Sequence, residues 1–263
     1  MPQLLGQHFL KNKAVIQKII AALDLKSGET VIEIGPGKGA LTIPLARACA
    51  DAGISIIGIE KDIAFVHELN NLKIASLEII HGDALKELPM LISRHTLTAN
   101  RYKLVGNIPY YITGKLLRTI SELEIKPSRT VLMIQKEVAE RLTATPGKMN
   151  LLAAAVQVWA DVSIIARLKP NDFDPPPKVE SAVIRIETKK QESVEASRLV
   201  QYYALIHAAF KQPRKTLLNN LAEAQSKPKG ELAEILSHLG YTKKTRAQEL
   251  SVPELFRLAN SAL

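Results

Sequence analysis

The sequence contains a single cysteine, Cys49, among 263 residues. One thiol cannot form an internal disulfide framework or a metal site with several cysteine ligands. Because Cys49 lies in the helical pattern LARACADAG, we expect a buried structural thiol rather than a nucleophile. The six histidines show no metal-ligand spacing, so we expect no metal cofactor.

Long apolar runs are also absent. No stretch of the chain reaches the roughly 20 consecutive apolar residues needed to span a bilayer. The start of the sequence, MPQLLGQHFLKNKAV, lacks a basic segment followed by an apolar segment and a small-residue cleavage site. We therefore expect a cytoplasmic protein that has no signal peptide and no membrane partner.

Positive charge is in excess. Lysine and arginine number 35 against 26 aspartate and glutamate residues, which gives a formal net charge of +9. Such an excess suits a polyanionic partner, so RNA or DNA is a working hypothesis. The alternative is that the extra lysines only keep the protein in solution.

Short β-branched runs alternate with segments of helical periodicity up to about Thr188. The predicted strands cover 30–34, 54–59, 77–80, 103–107 and 130–135, with later strands in DVSIIARL and SAVIRIE. Asn12 is the predicted N-cap of a helix over KAVIQKIIAAL. Apolar strands that alternate with helices indicate an α/β fold of Rossmann type, with a mostly parallel sheet covered on both faces.

The pattern of predicted secondary structure changes after Thr188. The segment KKQESVEAS is polar and turn-prone, and the remaining sequence shows helical patterns only, in SRLVQYYALIHAAF, RKTLLNNLAEA, GELAEILSHLG and PELFRLANSAL. We therefore predict an α/β domain over 1–188 and a small all-helical C-terminal domain over 189–263.

A glycine-rich turn, EIGPGKGA, follows the first predicted strand. Gly35, Gly37 and Ala40 also satisfy the dinucleotide fingerprint. However, Pro36 offers no N–H to a phosphate, and the carboxylate of Glu33 would repel a pyrophosphate. S-adenosylmethionine has no phosphate but carries a sulfonium and an ammonium group, so this turn favours a methyltransferase over a dinucleotide enzyme.

Two further acids follow later strands. Glu60 lies where an acid would bind ribose hydroxyls in either class of enzyme, although it could instead be a solvated acid that opens the helix KDIAFVHELNNL. Asp83, in HGDAL, follows the third strand, where a loop can reach the adenine of the cofactor. The alternative interpretation of Asp83 is a helix N-cap.

The segment GNIPY directly follows the fourth strand. The amino lone pair of adenine is delocalised into its ring, so an enzyme that methylates this nitrogen must hold it. The Asn107 side-chain oxygen and the Ile108 carbonyl could accept both amino hydrogens and aim the lone pair at a methyl donor. Pro109 would stiffen the loop, and Tyr110 would offer a ring face to an extruded base. An ordinary Asn-x-Pro turn is the alternative.

The segments QHFL, EIGPGKGALT, the acid Glu60, GDAL, NIPYYIT and FDPPPKVESAVIRI occur in this order. With them the sequence closely resembles the ribosomal RNA adenine dimethyltransferase family over nearly the whole chain. That family includes enzymes that dimethylate two adjacent adenines near the 3′ end of small-subunit rRNA, and macrolide-resistance methyltransferases that act on large-subunit rRNA. The three prolines of FDPPPKVESAV and the segment AAFKQPRKTLLNNL look more like the small-subunit branch.

The resemblance implies a seven-stranded sheet that binds S-adenosylmethionine as methyl donor, and a helical domain that contacts rRNA. It implies that seven residues line the cofactor site: His8, Leu10, Gly35, Gly37, Glu60, Asp83 and Asn107. It assigns the target base to Asn107, Ile108 and Tyr110, with Phe173 stacking from the far side. Two positions depart from the family: His8 and Tyr111 stand where asparagine is common, and both side chains can still form hydrogen bonds.

The expected function is dimethylation of two adjacent adenines on an immature small ribosomal subunit, by a monomer. Lys211, Arg214 and Lys215 are candidates for rRNA phosphate contacts, or are simply solvated. Four alternatives stay open: a large-subunit resistance enzyme, a mainly non-enzymatic ribosome-assembly factor, a dinucleotide oxidoreductase and a DNA adenine methyltransferase. The last is disfavoured because the helical segments contain no recognisable DNA-reading motif.

Overall fold

A computed structural model describes residues 8–50, 52–94, 101–189, 196–224 and 228–262. Contacts divide the chain into two compact units, Met1–Ala139 with Val162–Thr188 and Glu140–Asp161 with Lys189–Leu263. The sequence-based division at residue 188 placed 140–161 in the first domain, whereas this segment makes its contacts within the second unit. Most of the polar segment KKQESVEAS, at 189–197, lies outside the described residues.

The first unit is built on a seven-stranded sheet, and a separate two-stranded ribbon pairs β1 with β8. The strands are β1 (Phe9–Leu10), β2 (Thr30–Ile34), β3 (Ser55–Glu60), β4 (Leu77–His81), β5 (Tyr102–Asn107), β6 (Arg129–Gln135), β7 (Ala160–Leu168), β8 (Phe173–Asp174) and β9 (Ser181–Thr188). The sheet order is β4-β3-β2-β5-β6-β9-β7. Strands β2 to β6 run parallel and β9 is antiparallel to β6. The predicted seven-stranded, mostly parallel sheet is confirmed.

The helices are α1 (Lys13–Leu23), α2 (Thr42–Cys49), α3 (Ile63–Asn71), α4 (Ala84–Arg94), α5 (Thr113–Glu122), α6 (Lys136–Leu142), α7 (Leu151–Gln157), α8 (Ala196–Ala209), α9 (Leu217–Ala224), α10 (Lys229–His238) and α11 (Val252–Ala262). Helices α8 to α11 confirm the predicted helical C-terminal region. Asn12 caps α1 as predicted, since its side-chain oxygen accepts from the N–H groups of Ala14 and Val15 at 3.0 and 3.3 Å. Within the described ranges, no helix is long and apolar enough to cross a membrane.

The strand register determines where the chemistry-bearing residues meet. Ile34 of β2 pairs with Ile59 of β3 on one side and with Gly106 of β5 on the other. Because adjacent strands lie about 4.8 Å apart, the residues that end these strands, including Glu60 and Asn107, share one edge of the sheet. Cys49 is buried in the apolar cluster beneath, as a free thiol, which confirms its predicted structural position.

Candidate active site

A cavity of about 330 Å³ opens at the carboxyl edge of β2, β3 and β5. This volume is in the range of small-molecule sites. Every predicted site residue except Phe173 lines it: His8, Leu10, Gly35, Gly37, Glu60, Asp83, Asn107, Ile108 and Tyr110. Phe9, Tyr111 and Lys115 also line the cavity, although the sequence patterns predicted no site role for them.

The glycine-rich turn that follows β2 lines the cavity. Gly35 and Gly37 have φ values of +66° and +55°, in the left-handed region that favours glycine. A Cβ at Gly35 would meet no atom within 4 Å, whereas a Cβ at Gly37 would lie 3.0 Å from the ring of Phe9. The turn therefore leaves free space at Gly35 and packs closely against Phe9 at Gly37.

Glu60 is buried and does not open α3. Its Oε2 accepts a hydrogen bond from the Gly37 N–H at 2.8 Å, and its Oε1 accepts from Lys61 N and Asp62 N, each at 2.8 Å. Asp62 is the residue that caps α3, through Ala64 N. A carboxylate has about four acceptor positions, so Glu60 keeps capacity for one further donor. A second role of Glu60, which the sequence did not predict, is to hold the glycine turn against β3.

Asp83 lines the cavity and also caps α4. A position at the cavity and a helix N-cap, the two alternatives for this residue, therefore occur together. Its Oδ1 accepts from Leu85 N at 3.0 Å at the start of α4, and its Oδ2 lies 3.2 Å from Lys61 Nζ. Burial opposes ionisation of Asp83, but the Leu85 N–H and the Lys61 ammonium outweigh it and hold the pKa of this carboxyl below its usual range.

Glu33 gives the clearest indication of which ligand charge the cavity can accommodate. The side chain is fully buried, and its Oε2 has no hydrogen-bond partner in the described part of the chain. Burial is the main cause that raises the pKa of Glu33 from 4.5 to about 8. The Thr42 hydroxyl lowers this pKa and the charge of Glu60 raises it further. The Thr42 hydroxyl lies near Glu33 but is not at hydrogen-bonding geometry. An unpaired buried carboxylate fits a cationic ligand.

No group of three or more His, Cys, Asp or Glu side chains among the described residues is arranged to hold a metal ion. The cavity lining contains one carboxylate with an unpartnered oxygen, two hydrogen-bonded carboxylates and the polar loop after β5.

The loop after β5 presents one amide and one aromatic ring. Asn107 Nδ2 donates to the backbone oxygen of His8 at 2.8 Å, and Ile108 is buried. The Tyr110 hydroxyl lies 2.6 Å from Ser181 Oγ, and burial raises the pKa of this hydroxyl, which the Ser181 contact partly offsets. The rings of Tyr110 and His8 are nearly parallel, 6.3 Å apart at 26°.

Phe173 is the exception among the predicted site residues. Its side chain is only 1% exposed and belongs to the apolar core, where Leu10 pairs with it across β1 and β8. The structure thus encloses the Phe173 ring in the core, and the stacking position that the resemblance assigns to it stays a prediction. The segment after Phe173 also contacts His8, whose Nδ1 lies 2.8 Å from the backbone oxygen of Pro175.

Comparison with known proteins agrees with this architecture. A sequence model described as ribosomal RNA adenine dimethylase matches residues 3–262. A ribosomal RNA small subunit methyltransferase A from Dehalococcoides mccartyi (strain CBDB1) is 38% identical over 256 residues, which cover 97% of this chain and 86% of the relative.

Two solved structures share the fold. A dimethyladenosine transferase from Plasmodium falciparum has a TM-score of 0.77 at 25% identity, covering 97% of this chain and 99% of the other. The 23S rRNA methyltransferase ErmE has a TM-score of 0.73 at 21% identity, covering 96% and 98%. With the family match over nearly the whole chain, these similarities show that the protein belongs to the ribosomal RNA adenine dimethylase family.

Proposed function

We propose that this protein transfers methyl groups from S-adenosylmethionine to the N6 amino groups of two adjacent adenines near the 3′ end of small-subunit rRNA. The observation that carries the proposal is the meeting, in one cavity, of the unpaired Glu33 carboxylate and the loop from Asn107 to Tyr110. The bacterial relative is a small-subunit enzyme by name, which supports this branch over the large-subunit branch.

S-adenosylmethionine, when bound, supplies a methyl group on a positively charged sulfur. Glu33 would face its positive charge, which explains a carboxylate that is otherwise left unpaired in the interior. Glu60 would accept from one ribose hydroxyl with its remaining capacity, and Asp83 would accept from the adenine amino group. Gly35 would leave room for the ligand, since nothing occupies the place of its missing Cβ. His8, Leu10 and Gly37 complete the predicted cofactor lining.

Asn107 and Ile108 would hold the target amino group. Because Asn107 Nδ2 donates to His8, its Oδ1 is the atom left to accept an amino hydrogen of the base. The Ile108 carbonyl would accept the other hydrogen, which favours a more tetrahedral nitrogen with its lone pair toward the methyl donor. Tyr110, anchored to Ser181, would stack on the base. The methylated, positively charged amine is acidic enough to lose its proton to water.

The second transfer to each base has a different geometry. A monomethylated amine has one hydrogen left, so Asn107 and Ile108 cannot both accept. The monomethylated nitrogen must rotate about its bond to the ring before its lone pair again points toward the donor. We therefore propose that the second transfer to a base is slower than the first.

The helical unit would supply contacts to rRNA phosphates. Lys211 and Lys215 both pair with Glu223, at 3.2 and 3.0 Å. These three side chains are well exposed, and exposed pairs contribute only about 0–1 kcal/mol, so a phosphate can displace Glu223. Arg214 is exposed as well and would add a further contact. Each phosphate bound in this way would make affinity more dependent on salt.

The test is methyl transfer from radiolabelled S-adenosylmethionine to immature small subunits, large subunits and naked rRNAs, followed by nucleoside analysis. Dimethyladenosine confined to the small subunit is the expected result. Label on the immature small subunit would also support action before the subunit is complete. Sedimentation of the active enzyme would test the proposed monomer. Fractionation of the cells that produce the protein would test the proposed cytoplasmic location.

Two other results would redirect the assignment. Label found only on large-subunit rRNA would move the protein to the resistance branch, whose fold it shares. No label on any substrate would favour a non-enzymatic assembly factor, which a strain carrying Asn107→Ala would test: normal subunit maturation in that strain would support the non-enzymatic role.

A further inference from the structure

Tyr111 places a large, exposed ring at the rim of the cavity. Its side chain is 65% exposed although it lines the same cavity as Tyr110. Tyr110 has a hydroxyl partner in Ser181, whereas the Tyr111 hydroxyl has no hydrogen-bond partner among the described residues. Neighbouring tyrosines thus have opposite environments, one anchored beside the base-holding loop and one facing outward.

The backbone holds Tyr111 in this position. Residues 110–112 form a 3-10 turn, in which the Ile112 N–H donates to the Pro109 oxygen at 3.1 Å, and α5 begins at Thr113. The ring is therefore displayed from a turn with internal hydrogen bonds that leads directly into a helix. The backbone that displays the ring therefore loses little conformational freedom when a ligand binds.

A cation accompanies the ring. Lys115 lies four residues after Tyr111, in the first turn of α5, and lines the same cavity. Its side chain is exposed and makes no ion pair with a described residue, in contrast to Lys61, which pairs with Asp83 at 3.2 Å. A single exposed tyrosine or lysine is ordinary on a protein surface, but a free ring and a free ammonium at one cavity rim suit a nucleotide.

We infer that Tyr111 and Lys115 bind the nucleotide next to the target adenine, with the Tyr111 ring stacked on its base and the Lys115 ammonium on its phosphate. The inference rests on the proposed function. Moving a base out of its stack into a cavity leaves its neighbour with an uncovered face, and an aromatic side chain can cover that face. The site would hold one adenine on Tyr111 while the adjacent one occupies the cavity.

The test compares Tyr111→Ala, Tyr111→Phe and Tyr111→Leu. Stacking on an aromatic side chain contributes about 1–3 kcal/mol per base, or roughly 5- to 150-fold in affinity. We expect Tyr111→Ala to raise KM for immature small subunits at least about fivefold, Tyr111→Phe to match the parent, and Tyr111→Leu to fall between. Leu72→Ala, which removes a partly exposed apolar side chain outside the cavity lining, should leave KM unchanged.

A second measurement separates stacking from a structural effect. The probe is a single-stranded RNA oligonucleotide with two adjacent adenines. A second oligonucleotide of the same sequence carries an abasic site in place of one of these adenines. The parent protein should bind the abasic RNA more weakly, and Tyr111→Ala should show no further loss on it. Affinity for S-adenosylmethionine and the thermal unfolding midpoint should not change.

Lys115→Ala should weaken binding of the intact oligonucleotide and lower its salt slope by about 0.7, the value for one phosphate on a single strand. Lys18→Ala, at an exposed lysine of α1 outside the cavity lining, is the control and should change neither quantity.

Parental KM and RNA affinity in Tyr111→Ala, or equal losses on intact and abasic RNA, would overturn the inference. Absence of methyl transfer by the parent protein on every rRNA would instead overturn the proposed function. The oligonucleotide binding measurement distinguishes the two failures, because it requires no turnover.

Discussion

Asn107 Nδ2 donates a 2.8 Å hydrogen bond to the backbone oxygen of His8, a residue 99 positions earlier in the chain. This contact joins the loop after β5 to the segment leading into β1. Because the amide nitrogen is engaged, the amide oxygen is the atom available to a substrate. The acceptor that the proposed chemistry requires is therefore oriented before any substrate binds.

Replacing Asn107 should abolish this orientation. We expect Asn107→Ala to lower the rate of the first methyl transfer by about 10²–10³-fold, the usual effect of removing one oriented polar group from an active site. Asn107→Asp keeps an oxygen but brings a second oxygen against the His8 carbonyl, so we expect a similar loss. Single-turnover transfer to immature small subunits measures this rate, and full dimethylation by Asn107→Ala would contradict the base-holding role.

Binding of S-adenosylmethionine should release a proton from Glu33. The pKa of this carboxyl is about 8 in the free protein, so the group is mostly protonated at pH 7, while a cationic ligand prefers its charged form. Affinity should therefore rise roughly tenfold between pH 6 and pH 7, where the ligand ammonium, with an ordinary pKa near 8, stays charged. Calorimetry in buffers of different ionisation enthalpy measures the released proton.

The same carboxyl should make the free protein less stable as pH rises. The folded-state pKa is raised from 4.5 to about 8, so between these values the folded state binds more protons than the unfolded state and the free energy of unfolding falls with increasing pH. Glu33→Gln should lack this fall, and should bind S-adenosylmethionine weakly with little dependence on pH. Parental pH dependence in this variant would exclude Glu33 as its source.

Gly106 is required by close packing between β5 and β2. A Cβ at this position would lie 2.7 Å from the Ile34 oxygen and 3.1 Å from Ile108 Cγ2, so Gly106→Ala must push the strand that carries Asn107 away from β2. We expect a loss of about 1–3 kcal/mol in the free energy of unfolding and reduced methyl transfer. Urea unfolding measures the first quantity.

The control for this variant is Gly114→Ala in the first turn of α5. A Cβ there would meet nothing within 4 Å, so we expect unchanged stability or a gain of up to about 1 kcal/mol. Equal losses in both variants would mean that the close approach at Gly106 is not the cause.

Phe173 should behave as a core residue. Its side chain is 1% exposed, so Phe173→Ala should cost about 3–5 kcal/mol. Phe173→Leu should cost less and, after correction for the folded fraction, keep the parental KM for immature small subunits. A raised KM with parental stability in Phe173→Leu would instead restore the base-stacking role that the family resemblance implied.

Local sequence patterns predicted much of the architecture. Short apolar β-branched runs bounded by turn residues favour buried inner strands, and glycines that precede a helix permit the tight turn seen at Gly35 and Gly37. Asn12 could be predicted as a cap because its hydrogen bonds reach only two and three residues along the chain. Each of these features depends on neighbours in the sequence, which is why the strands of the sheet and the turns that follow them were predictable.

Burial and long-range contacts were decided by the tertiary structure. The sequence places Glu33 at the carboxyl end of a strand, but only packing from all sides leaves its Oε2 without a partner and raises its pKa. The family resemblance implied a stacking position for Phe173, whereas the structure pairs β8 with β1 and buries its ring. The sequence by itself determined which residues lie at the ends of the strands, because side-chain periodicity is local. Which atoms remain free at that edge depended on contacts between segments far apart in the chain, because hydrogen-bond partners and burial are properties of the folded packing.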